Sequence, residues 1–163
     1  MDVRRATPAD LAAIDALLAR SYPALLKGAY PPSLLVTAIP LMAKAQPRLI
    51  ASGTYFVVEI EDEIVGAGGW TAATPPGQRA RRGVGNIRHV VTDHTRTRQG
   101  IGRALMTHIF SDARAAGARK LDCLSTLMAV PFYEAVGFRV LGPVLIQLRP
   151  GIDFPAMAMD RDL

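Results

Sequence analysis

Hydrophobic positions along the chain change between strand-like and helix-like spacing from the first residues onward. The segment Val3–Ala6 predicts a short strand. Thr7 then offers a helix cap, Pro8 suits the first helical position, and Asp10 supplies an acid three residues after the cap. A helix is therefore predicted from this point to about Ser21. Its apolar residues recur at helical spacing: Leu11, Ile14, Leu17 and Leu18.

The remaining pattern alternates strands with helices. Thr54–Ile60 and Ile64–Thr71 predict two strands, and the short turn Glu61-Asp62-Glu63 between them favours antiparallel pairing. The later predicted elements are a helical stretch over Pro32–Ala45 broken near Pro40, a strand over Asn86–Thr92, a helix over Gly100–Ala116 ended by Gly117, a strand over Lys120–Ser125, a helix over Ala129–Val136, a strand over Phe138–Ile146 and an extended segment over Ala156–Asp160 that could pair with it. This order predicts an α/β fold, a mixed sheet covered by helices on both faces.

Length and composition fit one domain over residues 1–163. Half of the residues are hydrophobic, enough for one core. No apolar stretch approaches the ~20 residues of a membrane span, and the first residues lack a signal region, so we expect a cytoplasmic protein that does not bind membranes. The single cysteine, Cys123, excludes an internal disulfide and a multi-cysteine metal site.

The net charge of +5 is concentrated in one part of the sequence. This part contains Arg79, Arg81, Arg82, Arg88, Arg96, Arg98 and Arg103, with Asp93 as the lone acid. Such a field attracts a polyanion, although a solvated loop explains the first three arginines equally well. A nucleic-acid surface usually interleaves aromatic residues with basic ones, and none lies between Arg79 and Arg103. We therefore expect no nucleic-acid partner.

The segment Arg98–Leu105 carries the most specific chemistry. Gly100 and Gly102 lie where a strand pattern gives way to a helix pattern. Glycines permit a tight turn that brings several backbone N–H groups against a phosphate, and the helix N-terminus adds its dipole. Arg98 and Arg103 flank this turn and can add charge-assisted bonds. The spacing matches neither the dinucleotide-binding fingerprint nor the P-loop.

About thirty residues later the chain reads Ala129-Val130-Pro131-Phe132-Tyr133-Glu134-Ala135-Val136-Gly137-Phe138. The two segments together resemble the GCN5-related N-acetyltransferases. In that superfamily R/Q-x-x-G-x-G/A binds the pyrophosphate of acetyl-CoA, and A-x-x-F-Y-x-x-x-G-F places a tyrosine near the thioester sulfur. The resemblance runs from about Val3 to Phe138. Thr97 departs from the pattern, because Arg or Gln is usual there.

The resemblance implies acetyl-CoA as co-substrate, held between two splayed parallel strands that end near Thr92 and Ser125. The implied cofactor-binding residues are Val90, Val91, Thr92, Arg98, Gln99, Gly100, Ile101, Gly102, Arg103 and Thr126. Thr126 stands where many relatives have asparagine, which puts that contact in doubt.

Tyr133 is the candidate general acid for acetyl transfer to an amine. A phenol of pKa ~10 can protonate a departing thiolate whose conjugate acid has a pKa near ~8.5. Considered alone, Tyr133 is better explained as a core residue with a solvated hydroxyl. The surrounding motif and the upstream glycine loop favour the catalytic interpretation.

His89 is the candidate base, at a position where related enzymes often have a glutamate. Strand alternation places it on one face with Ile87 and Val91, and an unperturbed pKa near ~6.5 suits a base at neutral pH. A structural histidine, with a water chain as the base, is the equal alternative.

Other residues favour structural roles. We interpret Glu59 as a solvent-facing strand acid, Trp70 as a core residue and Cys123 as buried packing. His94 and His108 lack partners at metal-ligand spacing, so we expect no metal.

In the superfamily the first two helices and their connection bind the acceptor, which makes Tyr22 and Tyr30 candidate substrate-binding residues. Few acids lie nearby, which favours a small, modestly charged amine or a peptide amine over a polycation. The alternative function is a non-catalytic acyl-CoA sensor or scaffold. A homodimer is a further candidate assembly, with the apolar residues of Pro150–Leu163 available to cover a sheet edge or a second subunit.

Overall fold

The computed structural model describes residues 1–72, 79 and 81–163. Its described strands form one seven-stranded sheet in the order β1-β2-β3-β4-β5-β7-β6. The strands are β1 (Asp2–Arg5), β2 (Tyr55–Ile60), β3 (Glu63–Thr71), β4 (Val84–Thr92), β5 (Lys120–Ser125), β6 (Arg139–Arg149) and β7 (Ile152–Asp162). Only the β4–β5 pair is parallel, so the sheet is mixed, as predicted.

The helices cover both faces of this sheet. They are α1 (Leu11–Leu26), α2 (Pro32–Met42), α3 (Pro47–Ile50), α4 (Ile101–Ala115) and α5 (Val130–Ala135), with 3-10 turns at Pro8–Asp10 and Leu127–Ala129. One core layer packs α1, α2 and α3 against the sheet, and the other packs α4 and α5. We call these layers the α1 side and the α4 side. The predicted α/β class is confirmed.

Most element boundaries lie close to their predicted positions, and α1 differs most. It continues five residues beyond Ser21 and contains Pro23 within its last turn. Proline removes one backbone donor, which would bond to the carbonyl of Ala19. Ala19 and Pro23 both lie on the exposed face of the helix, where solvent can satisfy that carbonyl. Similarly, α2 continues through Pro40 to Met42, and the short α3 has no counterpart in the prediction.

The last two strands form a hairpin that is longer than predicted. β7 lies between β5 and β6 and pairs antiparallel with both. Phe154 and Met159 are fully buried, and Met157 is partly buried. These side chains therefore belong to the core of the chain. β6 is the edge strand instead, and it exposes Leu141 and Leu145.

The predicted loop over Thr74–Gly85 is only partly described. Residues 73–78 and 80 lie outside the described residues, and β4 begins at Val84 rather than Asn86. Within the described chain, no helix combines the length and apolar character needed to cross a bilayer.

Candidate active site

A gap between β4 and β5 forms the centre of the site. The two strands are parallel but pair only over Val84–Asn86 and Lys120–Asp122, at their N-terminal ends. Beyond these residues β4 continues to Thr92 and β5 to Ser125 without a ladder between them. The backbone groups of β4 that face β5 are therefore available to a ligand. The gap lies at the carboxyl ends of both strands, near Thr92 and Ser125, where the resemblance implied that two parallel strands separate.

A β-bulge shapes the β4 side of the gap. β3 pairs Ala67 with Val91 and Gly69 with Arg88, so two β4 residues, His89 and Val90, lie opposite the single residue Gly68. His89 has a φ of 51°, in the left-handed region.

Gly68 leaves the space that Val90 occupies at the bulge. A Cβ on Gly68 would lie 2.7 Å from Val90 Cγ2. Gly68 stands in the run Gly66-Ala67-Gly68-Gly69 of β3, whereas the extra residue of the bulge is on the partner strand β4.

Because of the bulge, the predicted grouping of His89 with Ile87 and Val91 on one face of the strand is wrong in part. Ile87 and Val90 pack in the α4-side core, whereas Val91 packs in the α1-side core. His89 lies 5.9 Å from the Tyr22 ring, centroid to centroid, and therefore also faces the α1 side. His89 shares this face with Val91, as predicted, but not with Ile87, because the extra residue interrupts the alternation.

The environment of His89 fixes its tautomer. Nε2 lies 2.8 Å from the backbone oxygen of Met42, an atom that can only accept, so Nε2 carries the proton. The lone pair of a neutral imidazole is then on Nδ1. Burial lowers the pKa of His89, and the Met42 hydrogen bond and nearby Arg88 act in opposite directions with smaller effects. His89 is therefore neutral at pH 7 and can accept a proton at Nδ1.

Two tyrosines surround this histidine on the α1 side. The Tyr55 hydroxyl donates to the backbone oxygen of His89 at 2.9 Å and so holds the bulge. Tyr22, from α1, is 8% exposed, and burial raises its pKa. Among the described residues, no group forms a hydrogen bond with the Tyr22 hydroxyl.

Tyr133 approaches from the α4 side. It is 6% exposed and packs edge-on against Phe132 and Phe138, with ring centroids 5.1 and 5.4 Å away. Burial raises its pKa well above the usual value, and neighbouring Cys123 and Tyr22 act in the same direction. Tyr133 therefore retains its proton at any physiological pH.

The glycine turn precedes α4 at the open end of the gap. Gly100 is the N-cap of α4 with a φ of 80°, and Arg98 also has a positive φ of 61°. The first intrahelical bond runs from Ala104 N to Gly100 O, so the amides of Ile101, Gly102 and Arg103 precede the helical ladder. No side chain caps them. Uncapped amides at a helix N-terminus are a geometry that favours an anion.

The second glycine of the turn serves helix packing. A Cβ on Gly102 would lie 2.7 Å from Phe132 Cε2, whereas one on Gly100 would meet nothing within 4 Å. Gly102 thus allows α4 to approach α5, the helix that carries Tyr133. Gly100 is required for its positive φ alone.

Tyr30 links the α1–α2 connection to the end of β5. Its hydroxyl donates to the Pro155 oxygen at 2.6 Å and accepts from the Leu127 amide at 2.9 Å. Its ring stacks on Phe154 with centroids 4.3 Å apart. The hydroxyl of Tyr30 is therefore occupied by backbone partners next to Thr126, the predicted cofactor contact.

A surface cavity of about 920 Å³ opens beside this connection. Residues of α1, the connection and α2 line it, and they are mostly apolar, including Pro23, Tyr30 and Leu35. Lys27 is the one charged residue in its lining.

Glu59, Trp70 and Cys123, for which the sequence favours structural roles, have the following surroundings. Glu59 pairs with Arg4 on the first two strands. Trp70 is buried and donates to Asp112 at 2.8 Å, and burial raises the pKa of Cys123 to about 12. Within the described residues, no cluster of three potential metal ligands occurs.

Known proteins resemble the chain in both sequence and fold. One curated relative is glucosamine 6-phosphate N-acetyltransferase from Trypanosoma brucei brucei, 37% identical over 65 residues, which are 40% of this chain and 44% of that protein. The chain thus matches less than half the length of this relative.

Solved structures resemble the whole fold. A GCN5-related N-acetyltransferase from Rhodopseudomonas palustris has a TM-score of 0.77 at 17% identity, covering 99% of this chain and 95% of that one. The PaiA N-acetyltransferase from Thermoplasma acidophilum, solved with coenzyme A, has a TM-score of 0.74 at 13% identity, covering 99% and 98%.

Residues 51–140 match the family described as the acetyltransferase (GNAT) domain. This match spans more than half of the 163 residues, and it contains β4, its bulge, the glycine turn, α4 and Tyr133. The chain belongs to the GCN5-related N-acetyltransferase family.

Proposed function

We propose that this protein, as a single domain, transfers the acetyl group of acetyl-CoA to a primary amine of a small molecule or peptide by direct attack. The gap between β4 and β5 carries the proposal. It ends at the uncapped amides of α4, with Tyr133 on one side of the sheet and His89 on the other.

The proposed cofactor contacts follow the gap. Backbone groups of Val90, Val91 and Thr92 face the pantetheine arm, and the turn from Arg98 to Arg103 receives the pyrophosphate, with Thr126 on the β5 side. Arg98, Gln99 and Arg103 are exposed and can reach a phosphate. By contrast, Arg96 donates to Glu63 at 2.8 Å, and Arg81 pairs with Asp122, so these two arginines are already neutralised.

Tyr133 acts as the general acid in this proposal. Acetyl-CoA supplies a thioester that a neutral amine attacks, and the thiolate leaves. The raised pKa of Tyr133 keeps the phenol protonated, so the proton is present when the thiolate forms. Its position in the core beside Cys123 limits the contact of the phenol with water.

His89 is the proposed base, acting through Nδ1. Its Nε2 is fixed on Met42, and its neutral form accepts the proton of the amine as the bond to carbon forms. Tyr22 lies against the same ring and is proposed, together with Tyr30, to shape the acceptor side.

Calorimetry with acetyl-CoA, followed by a free-thiol assay over a panel of amines, tests the proposal. The curated relative is named for glucosamine 6-phosphate, so this sugar belongs in the panel with amino acid amides and peptides. Binding with amine-dependent thiol release supports the transferase. Binding without release from any amine favours the sensor, and absence of binding rejects the cofactor assignment.

A further inference from the structure

The acceptor side of the site lacks carboxylates over a long part of the chain. No Asp or Glu occurs between Asp15 and Glu59, a stretch that contains most of α1, all of α2 and α3, and the start of β2. The same stretch contributes Arg20, Lys27, Lys44 and Arg48. An ammonium group entering from this side therefore meets no opposite charge from these elements.

The groups around His89 do not supply that charge either. The titratable and basic groups with a recorded contact or influence on His89 are Arg88 on β4, Tyr22 on α1 and Tyr55 on β2. Tyr133 and Cys123 belong to the core on the opposite, α4 side of the sheet. All are neutral or positive at pH 7.

The acids closest along the flanking strands are already paired. Asp93, just after β4, accepts from Arg20 at 3.2 Å and from the Thr95 hydroxyl at 2.7 Å. Glu63, at the start of β3, accepts from Arg96 at 2.8 Å. On α5, Glu134 is exposed, whereas its neighbour Tyr133 is buried.

We propose that the acceptor is a weakly basic primary amine, such as an amino sugar or the α-amine of an amino acid derivative, which this acid-free site admits as the uncharged free base. This inference rests on the proposed function. An ammonium group that leaves water for this side of the site meets no paired carboxylate, which disfavours the charged form relative to the free base. Lys27 is the one charged residue that lines the cavity beside α2, and its positive charge also disfavours a cationic acceptor there.

Selection for the free base discriminates strongly between amines at neutral pH. At pH 7.4 about a quarter of an α-amine is uncharged, against about one in a thousand of a lysine-type amine, a ratio of roughly 250. The stronger base is also the better nucleophile, which offsets part of this ratio. We expect kcat/KM to favour the weakly basic amine by at least about tenfold.

Matched acceptors test the inference with the intact protein and acetyl-CoA. The first pair is one peptide with a free N-terminus and no lysine, and the same peptide acetylated and carrying one lysine. The second pair is glucosamine 6-phosphate and cyclohexylamine. In each pair in which either amine reacts, we expect the weakly basic amine to have the higher kcat/KM at pH 7.4. The ratio of the two kcat/KM values should fall by more than about tenfold between pH 7.4 and 9.4.

A charge substitution provides the second arm. H89D introduces the missing carboxylate at a position with positive φ, which Asp tolerates, and H89N is the neutral control of the same shape. H89D should raise the relative use of the strong base, and H89N should not. Because the measured quantity is a ratio, a general loss of activity does not obscure it.

Each outcome has one meaning. A preference for the lysine or cyclohexylamine at pH 7.4, or a ratio that does not change with pH, overturns the inference and leaves the transferase intact. Absence of thiol release from all four amines despite acetyl-CoA binding overturns the proposed function, and the inference with it.

Discussion

At the scale of single residues, burial shifts the pKa values of the two candidate catalytic groups in opposite directions. It raises the pKa of the Tyr133 phenol and lowers that of the His89 imidazole. In both cases it favours the neutral form, because a charge is poorly solvated inside the protein. The acid therefore retains its proton and the base remains free to accept one at the same pH.

Replacing Tyr133 with Phe should lower turnover about a hundredfold, which is typical of a lost general acid. The Phe ring retains the contacts with Phe132 and Phe138, so acetyl-CoA affinity and melting temperature should remain close to those of the wild type. Thiol release and calorimetry on the same preparation measure the two effects.

Tyr30→Phe provides a comparison for stability, because the Tyr30 hydroxyl bonds two backbone groups. It should destabilise the fold by about 1–3 kcal/mol. Equal turnover in Tyr133→Phe and wild type would remove Tyr133 from the mechanism.

Replacing His89 with Asn should abolish the acidic limb of the pH profile of kcat. In the wild type this limb should lie below pH ~6.5, since burial lowers the pKa of His89 and activity is lost as the imidazole becomes protonated. Asn tolerates the positive φ at this position, so the bulge is retained. An unchanged limb would assign the base to a water chain and leave His89 a structural role.

At the scale of elements, the approach of α4 to α5 depends on one missing methyl group. Gly102→Ala should destabilise the fold by about 1–3 kcal/mol and lower turnover, because the new Cβ displaces Phe132 and with it the helix of Tyr133. Chemical denaturation and thiol release measure both quantities.

Gly117→Ala is the control for this substitution, since its Cβ would meet nothing within 4 Å. It has a positive φ of 91° and should cost about 1–2 kcal/mol in stability without a specific loss of turnover. Parallel losses of turnover in both variants would contradict the packing role of Gly102.

Sequence periodicity located most elements because they follow local rules. β5 matches its predicted range, and α4 and β2 match within one residue at each end. The bulge at His89 was missed, because Ile87-Arg88-His89-Val90-Val91 has ordinary strand composition and the extra residue depends on the glycines of β3. The position of β7 inside the sheet is likewise nonlocal, since it pairs with β5 on one edge and with β6 on the other.

At the scale of the whole molecule, an ion cluster fastens the outer end of the sheet. Arg4 donates two bonds of 2.9 Å to Asp10 and also pairs with Glu59, joining β1, the first turn and β2. The Arg4 bonds lower the pKa of Asp10 to about 2. Since the unfolded carboxyl has a pKa near ~3.9, the resulting stability is present above about pH 4 and is lost as the pH falls towards 2.

Arg4→Met should therefore lower the free energy of unfolding by about 1 kcal/mol at pH 7, and the difference should close between pH 4 and 2. Urea denaturation at a series of pH values measures it. Arg48→Met is the control, because Arg48 is exposed and makes no ion pair with the described residues. A difference that persists at pH 2 would show that Arg4 stabilises through packing.

The site could be predicted only where chemistry is local in sequence. The glycine turn and Tyr133 stand within short motifs, whereas the free Nδ1 of His89 depends on Met42, 47 residues away. The two hydrogen bonds of the Tyr30 hydroxyl also involve backbone groups that are distant in sequence, the Leu127 amide and the Pro155 oxygen. Patterns of neighbouring residues do not encode such contacts.

The buried indole of Trp70 gives the chain an intrinsic fluorescent reporter. It is the sole tryptophan, 5% exposed, and its Nε1 is bonded to Asp112 on α4. Its emission therefore reports the formation of the α4-side core, in which the indole is buried. Stopped-flow fluorescence can time the assembly of this layer.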